Sequence, residues 1–286
     1  MKRKFLDLLK NTSDYTRVCV GIDPRIGAIL DKYKSSGPTI SDVNTDAETL
    51  EYFSIAIMEE TSSSAAAFKF NLAFFEAVKD GERALINILQ HAKSNFPHVG
   101  LIGDSKNADI GNTNELYYEK IFVRYGFDAM TTNPYMGEPE KLNQLVMENE
   151  KFLIPVLLTS NPEAAKVQMQ ILKDGRFLYE EVGRQISQEW LCREHCGVVI
   201  GATKSEDEFK KACGVSENRF ALVPGVGAQG GSLQMCVKNL YGRLYLVNSS
   251  REIIYSDKPG MAAENLRLEI NTLDAAEKEF RAQSVH

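Results

Sequence analysis

No apolar run in this 286-residue sequence approaches the ~18 residues of a membrane span, which argues against a transmembrane helix. The opening stretch MKRKFLDLLKNTSDY carries basic residues but only a short apolar patch, broken by Asp7 and Lys10. It fits an amphipathic helix better than a signal peptide. Basic runs and arginine-rich stripes are missing too, and with a formal charge of −6 nothing points to nucleic acid as a partner. An acidic total still leaves room for a local basic pocket, and so for an anionic small molecule. Cysteine is scarce and odd in number: Cys19, Cys192, Cys196, Cys213 and Cys236 read as free thiols of a cytoplasmic protein. Only CREHC at 192–196 offers metal-ligand types. Without a second cluster it reads as a helical segment with ordinary thiols, and no metal is expected. No low-complexity linker divides the chain, so residues 1–286 read as one domain.

What is present is a core. Hydrophobic residues make up 43% and charged residues 25% of the chain, ordinary for a globular protein. Eight buried-looking runs recur: RVCVGID (17–23), AAFKFN (66–71), HVGLIGDSK (98–106), DAMTTNP (128–134), FLIPVLLTS (152–160), GVVIGAT (197–203), FALVPGVG (220–227) and RLYLVNSS (243–250). They lack in/out alternation, as strands of a parallel sheet covered by helices do. A helical pattern follows almost every run, and TDAE at 45–48 is a capping box opening one of them. Eight such units in a chain of this length predict a single (β/α)8 TIM barrel, with a doubly wound open sheet as the competitor. Two segments exceed ordinary loop length: 24–44, and a helical insertion after strand 5 around 162–190. The insertion's apolar residues (Val167, Met169, Ile171, Leu172, Phe177) exceed what one covering helix needs, so a peripheral interface is expected there.

Nearly every run ends in polar or glycine residues: Asp23, Lys69 with Asn71, Asp104 with Lys106, Asn133, Thr159 with Ser160, Thr203, Gly227, and Asn248 to Arg251. In a barrel those ends converge on the face where enzymes place their sites. Asp104 and Lys106, two apart in a strand, would point the same way with Ser105 turned away. A lysine flanked by carboxylates stays protonated, which suits stabilising and then protonating a carbanion rather than forming a Schiff base. Lys69 can join the same network through Asp104. After the seventh run, PGVGAQGG (224–231) lets backbone N–H groups approach an anion, and Arg251 follows the eighth. Barrels commonly build phosphate sites from those two loops, and arginine can clamp phosphate with two bonds.

At this point the residues resemble a known family. DSKNADIGNT (104–113) is similar to the Asp-x-Lys-x-x-Asp-Ile-x-x-Thr signature of the orotidine 5′-phosphate decarboxylases. VGIDPR, FKFN, LLTSNP, PGVGAQGG and VNSSREIIY continue the likeness in order, from about residue 17 to 255, closest to the family's longer-chain branch. The resemblance implies an enzyme that uses neither cofactor nor metal and converts orotidine 5′-phosphate to UMP, the last step of de novo pyrimidine synthesis. Its site would be completed across a homodimer. Lys69, Asp104 and Lys106 would form the charged network, joined by Asp109 from the partner chain, with Thr113 near the ribose and phosphate. Asp23 and Asn71 would contact the ribose and its surroundings, and Ser160, or adjacent Thr159, the pyrimidine. Gln229 and Arg251, with the backbone of Gly227 and Gly230, would bind phosphate. The chain departs from many relatives at Ser232, where some have an acid, and at Ser250, where many have glycine. Two rivals remain: a Mg²⁺-dependent sugar-phosphate decarboxylase or aldolase of the same barrel group, and a phosphate-ligand-binding barrel without catalysis. No motif for a diphosphorylated sugar is present, so no fused transferase is expected.

Overall fold

Each of the eight apolar runs holds a strand: β1 (Val18–Ile22), β2 (Ala67–Asn71), β3 (Gly100–Asp104), β4 (Ala129–Thr132), β5 (Phe152–Leu158), β6 (Val198–Ile200), β7 (Ala221–Pro224) and β8 (Tyr245–Ser249). In the computed structural model, which describes residues 3–36, 45–137, 139–190, 193–227 and 230–284, they pair in parallel and in sequence order. β8 lies against β1, with Val18 opposite Val247, so the sheet closes into a barrel. Helices α2 (Ile26–Ser36) and α3 (Asp46–Thr61) follow β1, and α4 (Leu72–Glu76) and α5 (Gly81–Asn95) follow β2. α6 (Thr113–Tyr118), continued by a π-helical segment, follows β3, and α7 (Glu140–Glu148) follows β4. α8 (Ala165–Gln168) and α9 (Leu178–Gln188) follow β5, α10 (Glu206–Val215) follows β6, and α11 (Leu233–Leu240) follows β7. α12 (Arg251–Ile254) and α13 (Pro259–Gln283) end the described chain, while α1 (Phe5–Thr12) precedes it all. The TDAE box starts α3 as expected: Thr45 Oγ1 accepts from Glu48 N, and the Glu48 carboxylate accepts from Thr45 N.

Alternation along each strand divides two cores. Inward residues Cys19, Ala67, Ile102, Ala129, Ile154, Val199, Leu222 and Leu246 fill the barrel, and outward ones such as Val20, Phe68, Leu101 and Val247 pack under the helices. α1 closes the end where the strands begin. Phe5 meets Phe152 at 5.2 Å and Phe220 edge-on at 5.5 Å, and Leu9 is buried beside it. Arg3 fastens this plug with two bonds to the buried Asp128 and two more to the Pro97 and Val99 carbonyls. The opposite end is thereby left for polar side chains.

Three local expectations change. Segment 24–44 is not a plain loop: α2 takes its first half because Ile26 and Ile29 repeat at helical spacing and Ile29 is fully buried; 37–44 lie outside the described residues. The 162–190 stretch is helical in two parts, but α9 packs on β5 and α10 as an ordinary barrel helix. The excursion proper is 161–177, closed by an antiparallel bridge between Ile171 and Phe177. There Met169 and Phe177 pack on the core, while Val167 and Ile171 stay exposed. In CREHC, Cys192 lies outside the described residues and 193–195 form a turn rather than a helix, because Cys196 already bridges Leu153 on the way into β6.

Candidate active site

The strand ends converge as alternation requires. Ala67 faces the barrel interior, so Lys69, two residues on, faces it too, and the register sets Asn71 opposite Asp104. Lys69 Nζ donates to Asp104 Oδ2 at 2.9 Å, and Lys106 Nζ donates to Asp104 Oδ1 at 2.5 Å. Lys69 and Asp104 are 5% and 9% exposed, whereas the Lys106 side chain is half exposed and reaches the open end. Burial opposes both charges of the inner pair. For Asp104, the attraction of Lys69 and Lys106 outweighs it and holds the carboxyl well below the usual carboxylate range. For Lys69, Asp104 and Asp23 outweigh it and hold the ammonium above the ordinary lysine value. Cys19, beneath them in the barrel, is pushed up to about 12, mainly by burial, and stays a thiol.

Lys106 does not continue the strand, as simple alternation predicts. β3 stops at Asp104, and Lys106 has φ +53°, in the left-handed region. β4 holds it there: Thr131 Oγ1 accepts from Lys106 N at 3.1 Å and donates to Asp104 Oδ1 at 2.8 Å, and Thr132 Oγ1 donates to the Asn107 carbonyl. Sequence pattern does not mark Thr131 as a site residue; its one signal is its place near the end of β4, shortly before Asn133.

Asp23 Oδ1 is buried, 3.9 Å from Lys69 Nζ, and has no hydrogen-bond partner among the described residues. Asn71 lies beside the network, but its Oδ1 accepts from Ala73 N and caps α4. Asp109 stands apart: its carboxylate accepts from Ile110 N, its backbone is held by Asn114, and among the described residues it makes no ion pair with either lysine. Thr113 opens α6 on the same loop. At the end of β5, Thr159 Oγ1 and N both donate to Gln168 Oε1, whereas the Ser160 hydroxyl has no partner among the described residues. Gly201, just after β6, lets the Ser160 backbone come close, since a Cβ there would lie 2.5 Å from Ser160 N. A cavity of about 460 Å³, within the small-molecule range, lies beside β5, with Lys106 and Asn133 on one side and Thr159, Gln168 of the excursion and Tyr179 of α9 on the other.

On the far side, Gly225, Gly227 and Gly230 all take positive φ, and Gly231 N donates to the Gly225 carbonyl, which curls the loop after β7. Gln229 lies outside the described residues. Arg251 begins α12, exposed, and its guanidinium makes no ion pair among the described residues. Neither serine departure disturbs this region. Ser250 has φ −114°, which asks for no glycine, and its Oγ fills the space over Gly21, where a Cβ would lie 1.9 Å away. Ser232 caps α11 by accepting from Met235 N.

The chain is 36% identical over 265 residues to the orotidine 5′-phosphate decarboxylase of Parabacteroides distasonis, covering 90% of this chain and 88% of that protein. The solved structure of Leishmania donovani OMP decarboxylase is similar with a TM-score of 0.80 and 28% identity, over 95% of this chain and 99% of that one. Leishmania donovani UMP synthase is similar with a TM-score of 0.81 and 29% identity, over 96% of this chain; the chain spans only 57% of that longer one. The model of the orotidine 5′-phosphate decarboxylase / HUMPS family matches residues 16–266, and the chain belongs to that family of enzymes.

Proposed function

We propose that this chain decarboxylates orotidine 5′-phosphate to UMP, and that residues 1–286 act as one barrel domain in the reducing cytoplasm. The observation that carries the reading is the Lys69–Asp104–Lys106 chain of ion pairs, whose outer member is the one that reaches the cavity. The bond from C6 to the carboxylate breaks, CO₂ leaves, and the electron pair stays on C6. The Lys106 ammonium stabilises that pair as it forms and then gives C6 a proton. Asp104 fixes the ammonium, Lys69 keeps Asp104 ionised, and Thr131 holds both Asp104 and the Lys106 backbone.

Asp23 and Asn71 bind the ribose and its surroundings. Ser160 bonds the pyrimidine, a role supported by a hydroxyl that has no partner among the described residues, whereas Thr159 is occupied by Gln168. Gly227, Gln229, Gly230 and Arg251 take the phosphate, far from the bond that breaks, so its binding energy serves positioning. Asp109 and Thr113 act in the site of a second copy. Two features support this: Asp109 pairs with neither lysine of its own chain, and Ile110 and Leu116 beside it are 67% and 69% exposed.

The test is the ultraviolet absorbance change when the protein meets orotidine 5′-phosphate in excess EDTA, with Lys106→Ala as control. Conversion that survives EDTA and disappears in the variant is expected. Conversion that requires Mg²⁺ would favour the sugar-phosphate chemistry of the same barrel group. No conversion by folded protein would leave a binding barrel.

A further inference from the structure

The phosphate side and the charged network meet where β8 lies against β1, and one side chain bridges them. Tyr255 follows α12 directly. Its ring stacks on Phe53 of α3, centroids 5.7 Å apart and planes 22° apart. Its hydroxyl accepts from the Arg25 backbone N–H at 2.7 Å and donates to the Asp23 carbonyl at 3.2 Å. The single phenolic proton is thus used on Asp23 and a lone pair on Arg25. Lys32 of α2 strengthens the clasp from the other side, donating to the carbonyls of Ile254 at 3.3 Å and Ser256 at 2.6 Å, the residues flanking Tyr255. Asp23 in turn has a buried Oδ1, 3.9 Å from Lys69 Nζ, with no hydrogen bond among the described residues. Among the described residues only the long ion pair with Lys69, and no hydrogen bond, acts on that oxygen, so the carboxylate's position depends strongly on its backbone, and the backbone is what Tyr255 holds.

We infer that Tyr255 is a positioning residue that couples the phosphate side of the site to Asp23. Arg251 and Tyr255 stand at the two ends of one helical turn, so an anion held at Arg251 fixes that turn. Through the phenol, the turn then sets Asp23 against Lys69 and the ribose. The path is short and continuous: one turn of helix, one hydroxyl, one strand end. The inference rests on the proposed roles of Arg251 and Asp23.

Tyr255→Phe keeps the stacked ring and removes only the hydroxyl. It should lower kcat/KM for orotidine 5′-phosphate about tenfold with little change in melting temperature. Phe53→Leu removes the stack and keeps the hydroxyl, so it should lower the melting temperature and leave kcat/KM within about twofold. Because Tyr255 acts through Asp23, adding Tyr255→Phe to Asp23→Ala should cost no further activity. Wild-type kcat/KM in Tyr255→Phe, or losses that multiply in the double variant, would overturn the inference while the functional reading stands. Absence of turnover in the wild type overturns the functional reading, and the inference with it.

Discussion

Replacing Lys106 by alanine removes the group that faces the cavity but leaves Lys69 and Asp104 paired, so turnover should vanish while the fold persists, as circular dichroism and kinetics on one sample would show. Asp104→Ala acts differently. It leaves the 5%-exposed Lys69 without its main partner and should cost about 3 kcal/mol of stability as well as activity, read by denaturant unfolding. The pH dependence follows from the two shifts. Asp104 is held below its unfolded pKa, so its contribution is present above about pH 4 and is lost as pH falls toward the folded value. Lys69 is held above its unfolded pKa, so its contribution is complete below about pH 10 and fades only beyond that. The stability gap between wild type and Asp104→Ala should therefore narrow in acid, as pH falls below about 4; a gap that widens in acid would contradict the network. Ser160→Ala should raise KM more than Thr159→Val, because the Thr159 hydroxyl is taken by Gln168 while that of Ser160 has no partner among the described residues. At this scale the sequence showed which side chains carry charge and roughly where they gather. It hid Thr131 and the left-handed Lys106, because both depend on a bond between strands 25 residues apart, which local pattern does not contain.

Among elements, the division of the barrel into a plugged end and a polar end makes stability and activity separable. Asp128 accepts from both Arg3 and Leu101 N at the plugged end, so Asp128→Ala should cost about 3 kcal/mol in unfolding yet leave kcat unchanged. A matching fall in kcat would mean that the two ends communicate. All eight strands were legible because each is buried on both faces and so reads as an unbroken apolar run. The capping box at Thr45 was legible because both halves of it lie within four residues. α2 was less so: its polar neighbours mask Ile26 and the buried Ile29, which tie the helix to the core beside α3. The excursion after β5 was overestimated in length for a related reason, since α9 looks like surplus until it is seen covering β5.

For the molecule as a whole, a site shared between copies has a specific signature. Mixing inactive Lys106→Ala with inactive Asp109→Ala should restore about a quarter of wild-type activity, because half of randomly paired dimers gain one intact site of two. No recovery after exchange of subunits would place Asp109 in its own chain's site or outside any site. Shortening the 161–177 excursion should change assembly through the exposed Val167 and Ile171, and an unchanged mass by light scattering would dismiss that role. The family resemblance supplies the expectation of a shared site and the apolar content of the excursion that of an interface, but which apolar residues remain uncovered, such as Ile110, emerges only once the rest have found the core. The pairing of β1 with β8 has one more consequence, for synthesis. The first strand to leave the ribosome must wait for the last, more than two hundred residues later, before it has a neighbour on that side. Until then the nascent sheet has two open edges, and Asp23, Lys69 and Asp104 face water in an unclosed trough. A chain halted before Tyr245 should therefore expose strand edges that invite aggregation, and it should gain neither buried ion pairs nor catalysis by degrees, but all at once when the final strand slots home.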